Sequence, residues 1–307
     1  MFMRIVTAAG LGVALALIVA EARAQDMSCD KQCLEELAPK FLAAYAAHDP
    51  SSLPIADDVR YTENNVEMPF PDGTWDTVTK VVGPTQVISD PKTGNVGMYT
   101  AIMQDEIEGY LAIRFKVEDK KITEIEQIIS TKRNLSSPPT PIAPVKDYKF
   151  EPIIDEVVPK DERVSRERLA FHANGYFNTL QHNDGEIRDT CFHDDATRRE
   201  NGMLFTDIKA GFESGRYLFN NRVRREVVVI DEERQIAMAR GFIDHKGVMN
   251  EYKLTDGTET RSIFQEPQTW AFLEMFKVTD DCIAAVVANF YQSSYYQRSP
   301  WTVGPDR

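Results

Sequence analysis

A short pattern occurs twice in this chain, and it constrains the fold more than any other feature. The first copy is Asp57-Asp58-Val59-Arg60-Tyr61-Thr62-Glu63-Asn64-Asn65; the second is Asp194-Asp195-Ala196-Thr197-Arg198-Arg199-Glu200-Asn201-Gly202. Both read Asp-Asp, four intervening residues, then Glu-Asn. Other landmarks recur in the same order. A helical segment precedes each copy, Phe41 to Asp49 answering Tyr176 to Asp184. Val96-Gly97-Met98 is echoed by Ile236-Ala237-Met238, and Phe115-Lys116-Val117 by Phe276-Lys277-Val278. The spacing exceeds a hundred residues, which specifies a tandem of globular domains rather than a solenoid. The second copy is longer by an insertion around His245 to Pro267.

A length of 307 residues fits two domains, and each half can bury its own core. The net charge of −13, without a basic cluster, argues against nucleic acid and anionic membrane surfaces as partners. Arg4, the apolar run Ile5 to Ala20 and the small-x-small site Ala22-Arg23-Ala24 read as a secretory signal peptide over 1–24. A retained signal anchor is the alternative. Export to the periplasm or beyond permits disulfides. Cys191 precedes the second Asp-Asp strand and Cys282 lies at the turn into the last strand, so that pair is a plausible bridge; Cys29 and Cys33 are close enough in sequence to form the other. Sequence leaves the connectivity open. No metal site is expected, because Cys-x3-Cys has no paired ligands nearby.

Domain one is expected over 28–132: an amphipathic helix from Cys29 to His48, a strand from Val59 to Val66, and hairpins turning at Asp90 to Gly94 and at Asp119 to Lys121. Gly83-Pro84 is read as a break. A Pro-rich linker spans 133–160. Domain two is expected over 161–301: a helix from Asp161 to Gln181, a strand from Ala196 to Leu204, a loop over Gly211 to Asn221, and two hairpins separated by the insertion. Trp301 is expected to pack back onto domain two.

The helix ending His48-Asp49-Pro50, the entry Ala56-Asp57-Asp58-Val59 and the hairpin Phe115-Lys116-Val117 to Ile122-Thr123-Glu124-Ile125 resemble the nuclear transport factor 2-like superfamily and its SnoaL-like branch. Asn183-Asp184-Gly185, Asp194-Asp195-Ala196 and Phe276-Lys277-Val278 carry the resemblance in the second copy. It covers nearly all the chain outside the signal and linker, and Arg199 to Gly202 with Ser299-Pro300-Trp301 resembles a secreted group within it. The fold so implied is α+β: two tandem cones, each a helix packed on a strongly curved antiparallel sheet. The resemblance implies an apolar pocket and a choice among isomerases, dehydratases, other lyases and non-catalytic binding domains. Fold alone names no reaction.

No nucleophile elbow, phosphate loop, dinucleotide fingerprint or metal-binding His pair is present, so no cofactor is called for. Acid–base chemistry in an apolar cavity remains. Strand parity puts Glu274 on one face with Trp270, Phe272, Phe276 and Val278, where desolvation would suit it to proton transfer; a structural pairing with an Arg is the alternative. Arg198 and Glu200 share the inward face of their strand, as binding and catalytic groups or as an ion pair bracing the mouth. They correspond to Tyr61 and Glu63 in domain one. His172 and Tyr176 lie one helical turn apart and are candidates for acid–base and oxyanion roles, with a rim His and a core Tyr as the structural reading. His245 at the insertion, and Arg240 pointing inward from its strand, complete the candidate binding residues. Domain one, with Tyr61, Glu63, Tyr99 and Arg114, is read as the degenerate partner. The expected activity is a cofactor-independent lyase or isomerase that abstracts a proton from a small hydrophobic molecule, aromatic or polycyclic in the favoured case, and eliminates water or a small aldehyde. A non-catalytic ligand- or protein-binding tandem is the rival, and a homodimer stays open.

Overall fold

The computed structural model describes residues 29–132, 141–149, 151–247 and 250–302. The signal-peptide reading of 1–24 falls outside them, as do 133–140 and 150 of the linker.

Helix α1 (Lys31–Ala47) starts where the Asp30 carboxylate accepts the Cys33 amide at 2.9 Å, and it ends at His48 in the left-handed conformation (φ 56). Its apolar stripe of Leu34, Ala38, Phe41 and Tyr45 is buried in the hollow of the first sheet. That sheet runs β2-β1-β6-β5-β4-β3, formed by β1 (Ile55–Glu63), β2 (Val66–Met68), β3 (Lys80–Asp90), β4 (Asn95–Gln104), β5 (Ile107–Glu118) and β6 (Lys121–Thr131). Helix α2 (Arg166–His182) packs into a second sheet of the same order, β8-β7-β14-β13-β10-β9. Its strands are β7 (Phe192–Glu200), β8 (Met203–Phe205), β9 (Arg222–Asp231), β10 (Ile236–His245), β13 (Gln268–Thr279) and β14 (Cys282–Ser294). A small hairpin, β11 (Glu251–Lys253) with β12 (Glu259–Arg261), lies between β10 and β13. The architecture is α+β, two tandem cones.

Each sheet departs from the antiparallel expectation at one pairing. Three successive hairpins return β6 beside β1 and β14 beside β7 in the same direction, so these two pairs are parallel. Gly83-Pro84 does not break its strand. β3 continues through a register shift between Val82 and Gln86, where glycine takes φ +77 and proline needs no donor. Asn201 and Gly202, both at positive φ, turn β7 into β8 where one strand is expected. The helix expected from Asp161 begins instead at Arg166, because the Ser165 hydroxyl caps it by accepting the Arg168 amide at 3.2 Å. A short helix α3 (Ile208–Glu213) starts the segment expected as a loop.

The cores follow from alternation. On β13, Trp270, Phe272, Phe276 and Val278 face into the second cone. Leu273 and Met275 face outward, against Tyr99, Tyr110 and Ile128 of the first sheet. The two sheets therefore meet through their outer faces, and β13 is buried on both sides. Val145 and Ile154, from short 3-10 turns after the proline stretch, are buried in the same layer. Trp301 packs more widely than expected. Its indole N–H donates to Thr62 Oγ1 at 3.0 Å, and Arg60 and Arg114 of the first sheet share its ring with Arg240 of the second.

Candidate functional site

The second cone encloses a cavity of about 400 Å³. Its walls are apolar: Leu180 of α2, Met203 and Phe205 of β8, Phe219, Ile243, Trp270, Phe290, and Ile263-Phe264 from the insertion. Arg198 sits at its polar end. Inward parity on β7 buries the side chain, and its guanidinium donates to the Tyr217 hydroxyl at 2.8 Å and the Tyr176 hydroxyl at 3.1 Å. Its Nε lies 2.8 Å from the Glu200 carboxylate in an ion pair. Glu200, Tyr176 and Tyr217 all line the cavity, and Glu200 keeps a quarter of its side chain exposed. Burial holds the Tyr176 hydroxyl well above the ordinary tyrosine range, against the pull of Arg198.

Glu274 lies behind this cluster. It is wholly buried, neither carboxyl oxygen has a hydrogen-bond partner, and it is not among the cavity-lining residues. Burial, reinforced by the nearby Glu200 charge and opposed by Arg198, pushes its carboxyl up to about 8. Tyr176 lies close enough to favour the carboxylate slightly, without hydrogen-bond geometry. At neutral pH this face of the cone therefore holds a neutral acid.

His245, the last residue of β10, lines the far side of the cavity. Its ring stacks on Phe264 at 4.2 Å and lies 5.7 Å from Phe219. Neither nitrogen has a hydrogen-bond partner. Desolvation lowers the imidazole to about 4, although Asp244 and the Phe219 backbone favour the charged form. The ring is a neutral base at physiological pH.

Besides Glu274, three expected site residues are not brought here. His172 is buried one turn before Tyr176, where its nitrogens meet Thr190 Oγ1 at 3.0 Å and Asp281 Oδ1 at 2.9 Å. It ties α2 to the β13–β14 turn rather than facing the cavity, and desolvation lowers its pKa despite Asp281. Arg240 points the other way. Alternation along β10 turns Ala237, Ala239 and Ile243 inward, and Arg240 pairs with Glu226 and, across the junction, with Glu126. Phe272 stacks on Phe177 at 4.9 Å in the core and does not line the cavity. Sequence reasoning also missed Tyr217, Phe219 and Phe264. The aromatic alternation Tyr217, Phe219 inside a polar, Gly-containing stretch was the available signal.

The disulfides are Cys191–Cys282 and Cys29–Cys33. Among the described residues no cluster of three or more His, Cys, Asp or Glu could hold a metal ion, and no helix is long and apolar enough to cross a membrane.

The interior of the first cone is occupied by aromatic rings. Trp75 meets Phe70 at 4.8 Å, Tyr45 at 5.0 Å and Phe41 at 5.4 Å. The Tyr61 hydroxyl lies within hydrogen-bond distance of Glu63 and Gln127, and Glu63 accepts the Thr74 amide, while the buried Trp75 Nε1 and Gln127 Nε2 have no hydrogen-bond partner. Tyr99 and Arg114 face the sheet–sheet junction, Tyr99 accepting the Gly202 amide and Arg114 pairing with Glu126.

A family model described as a domain of unknown function (DUF8021) matches residues 162–290, the body of the second cone. No curated protein matches. Among solved structures, the chain is similar to an NTF2-like protein from Cytophaga hutchinsonii, at 14% identity over 42% of this chain and 99% of that one, TM-score 0.27. It is also similar to a protein from Kribbella flavida named provisionally as a ketosteroid isomerase, at 12% identity over 44% of this chain and 84% of that one, TM-score 0.27. A protein with a cystatin-like fold from Caulobacter vibrioides aligns at 12% identity over 41% of this chain and 88% of that one, TM-score 0.24. Likeness at this level brings neither an activity nor a substrate to the present chain.

Proposed function

We propose that the second cone is a cofactor-independent proton-transfer enzyme, an isomerase or lyase, acting on a small hydrophobic carbonyl compound. One observation carries the reading: a carboxylate, Glu200, and two tyrosine hydroxyls polarised by Arg198 open onto the same apolar cavity. Glu200 takes a proton from the carbon next to a carbonyl. The electron pair moves onto the carbonyl oxygen, and the O–H groups of Tyr217 and Tyr176 donate to that oxygen. Because both hydroxyl oxygens already accept from a guanidinium, their own protons are stronger donors. Returning the proton to a different carbon isomerises the compound; expelling a β-hydroxyl, protonated as water, makes it a lyase. Glu274, neutral beneath Tyr176, adds no second negative charge to oppose the enolate.

The second-copy reading of the sequence fits a chain that arose by duplication, with a first cone whose interior has closed. Two disulfides fit an oxidising compartment outside the cytoplasm.

The test is exchange in heavy water. A panel of cyclic and aryl ketones is incubated with the protein, and deuterium at the α-carbon is followed by NMR. Wild type incorporates deuterium into at least one member, and Glu200→Gln slows this by about a hundredfold or more while still binding it. Binding without exchange across the panel overturns the reading in favour of a binding domain.

A further inference from the structure

We propose that the cavity selects an uncharged ring compound bearing a hydroxyl or carbonyl, read by a hydrogen bond to His245 while Phe264 and Trp270 hold the ring; this rests on the cavity being the ligand site argued above. The imidazole is only 2% exposed, yet neither nitrogen has a hydrogen-bond partner among the described residues. Buried polar groups are almost always bonded. Here the ring faces aromatic groups, Phe264 at 4.2 Å across its face and Phe219 at 5.7 Å, and the Phe219 backbone, which favours the charged form, lies near without meeting hydrogen-bond geometry. The remaining neighbour is the cavity that His245 lines. A neutral imidazole offers one N–H and one lone pair, so it meets a hydroxyl or a carbonyl equally.

The charge of the ligand follows from the same walls. The arginines that line the cavity are already matched, Arg198 to Glu200 at 2.8 Å and Arg216 to Asp207 at 2.6 Å. An ionised ligand would enter an apolar space with no free counter-charge, at a large desolvation cost. The shape is set by rings. Trp270 and Phe264 lie 6.3 Å apart at 66°, two walls of a corner, and about 400 Å³ lies within the range of pockets that hold small organic molecules.

Three matched probes separate these terms: naphthalene, 2-naphthol and 2-naphthoate, with binding read by calorimetry. For the wild type, 2-naphthol is expected to bind about tenfold or more tighter than either of the others, since a site built to bond a hydroxyl rejects the analogue that lacks it. In His245→Phe the ring stack on Phe264 is kept, naphthalene still binds, and the preference for naphthol over naphthalene falls to near unity. A second readout needs no variant to fold. In wild type labelled with nitrogen-15 at its histidines, naphthol shifts one pair of ring resonances and naphthalene does not, and the signal is assigned to His245 by its absence in His245→Phe. Equal binding of naphthol and naphthalene, naphthoate binding as tightly as naphthol, retained preference in His245→Phe, unmoved ring nitrogens, or no binding of any probe would each overturn the proposal. Failure of the catalytic reading alone looks different: naphthol is selected in this way while no ketone exchanges its protons.

Discussion

Glu274 is a wholly buried carboxyl in the second cone whose titration is displaced by burial. Its ordinary value is 4.5 and burial lifts it to about 8. A carboxyl whose native value lies above its unfolded one brings a penalty that is absent below about pH 4.5. The penalty grows as pH rises between the two values and is complete above about pH 8. For a wholly buried group the penalty is on the order of 5 kcal/mol at its limit. Glu274→Gln keeps the shape and removes the titration. Its melting temperature should therefore fall less than that of wild type between pH 5 and pH 8, and parallel curves would sink the assignment. This residue was legible in the sequence because Trp270, Phe272, Phe276 and Val278 are large and apolar, so the inward face of β13 declares itself. Arg240 was not. Its neighbours Ala239 and Gly241 are small, and an alternation of Ala, Arg and Gly gives no hydrophobic contrast by which to tell inside from outside. His172 shares a helical face with Tyr176 as its spacing requires, but spacing does not say that Asp281 comes from a distant turn to hold it.

Among the elements, the two disulfides close chain segments of very different length, 91 residues for Cys191–Cys282 and 4 for Cys29–Cys33. Loop entropy then ranks them. Replacing the first pair by serines should cost about 4 kcal/mol of folding stability and the second about 2 kcal/mol. Urea unfolding of both double variants measures the difference, and a costlier loss for Cys29–Cys33 contradicts it. The strands of both cones were readable from alternation and turn residues. Their exact limits were less so where a cap or bulge intervened, as at Ser165 and at Gly83-Pro84. The insertion was readable as extra length with a candidate binding residue, His245, at its start. Its Ile263 and Phe264 become a wall of the cavity, because the hairpin folds back onto the α3 region, with the Tyr252 hydroxyl donating to the Arg216 carbonyl at 2.6 Å. No local pattern encodes that return.

Across the whole molecule, the junction repeats itself. Asp90, buried at the end of β3, accepts from Arg166, the first residue of α2, at 2.9 Å, and from the Ile230 amide at 3.3 Å. Asp231, buried at the end of β9, accepts from Lys31, the first residue of α1, at 2.9 Å, and from the Ser89 amide at 3.3 Å. Each cone thus offers the other the same bond set, the pattern of an isologous contact built within one chain. Asp90→Ala should cost about 3 kcal/mol because it strands Arg166 and a buried amide, and Asp231→Ala about as much because it strands the Ser89, Glu233 and Arg234 amides, although Lys31 keeps Glu233 and Arg234 keeps Glu35; a loss below about 0.5 kcal/mol in either would place that contact among ordinary surface pairs. The sheets are held together over a shared apolar layer, while one interior is packed with rings and the other keeps its cavity. That contrast is why the proposed chemistry is assigned to the second cone's interior. The most direct measurement is ketone deuterium exchange in Met203→Trp, where the new indole fills the cavity without touching Glu200, Arg198 or His245 chemically. Exchange is expected to disappear while the fold, judged by circular dichroism and melting, survives. Exchange that persists at the wild-type rate in the plugged protein would contradict that assignment.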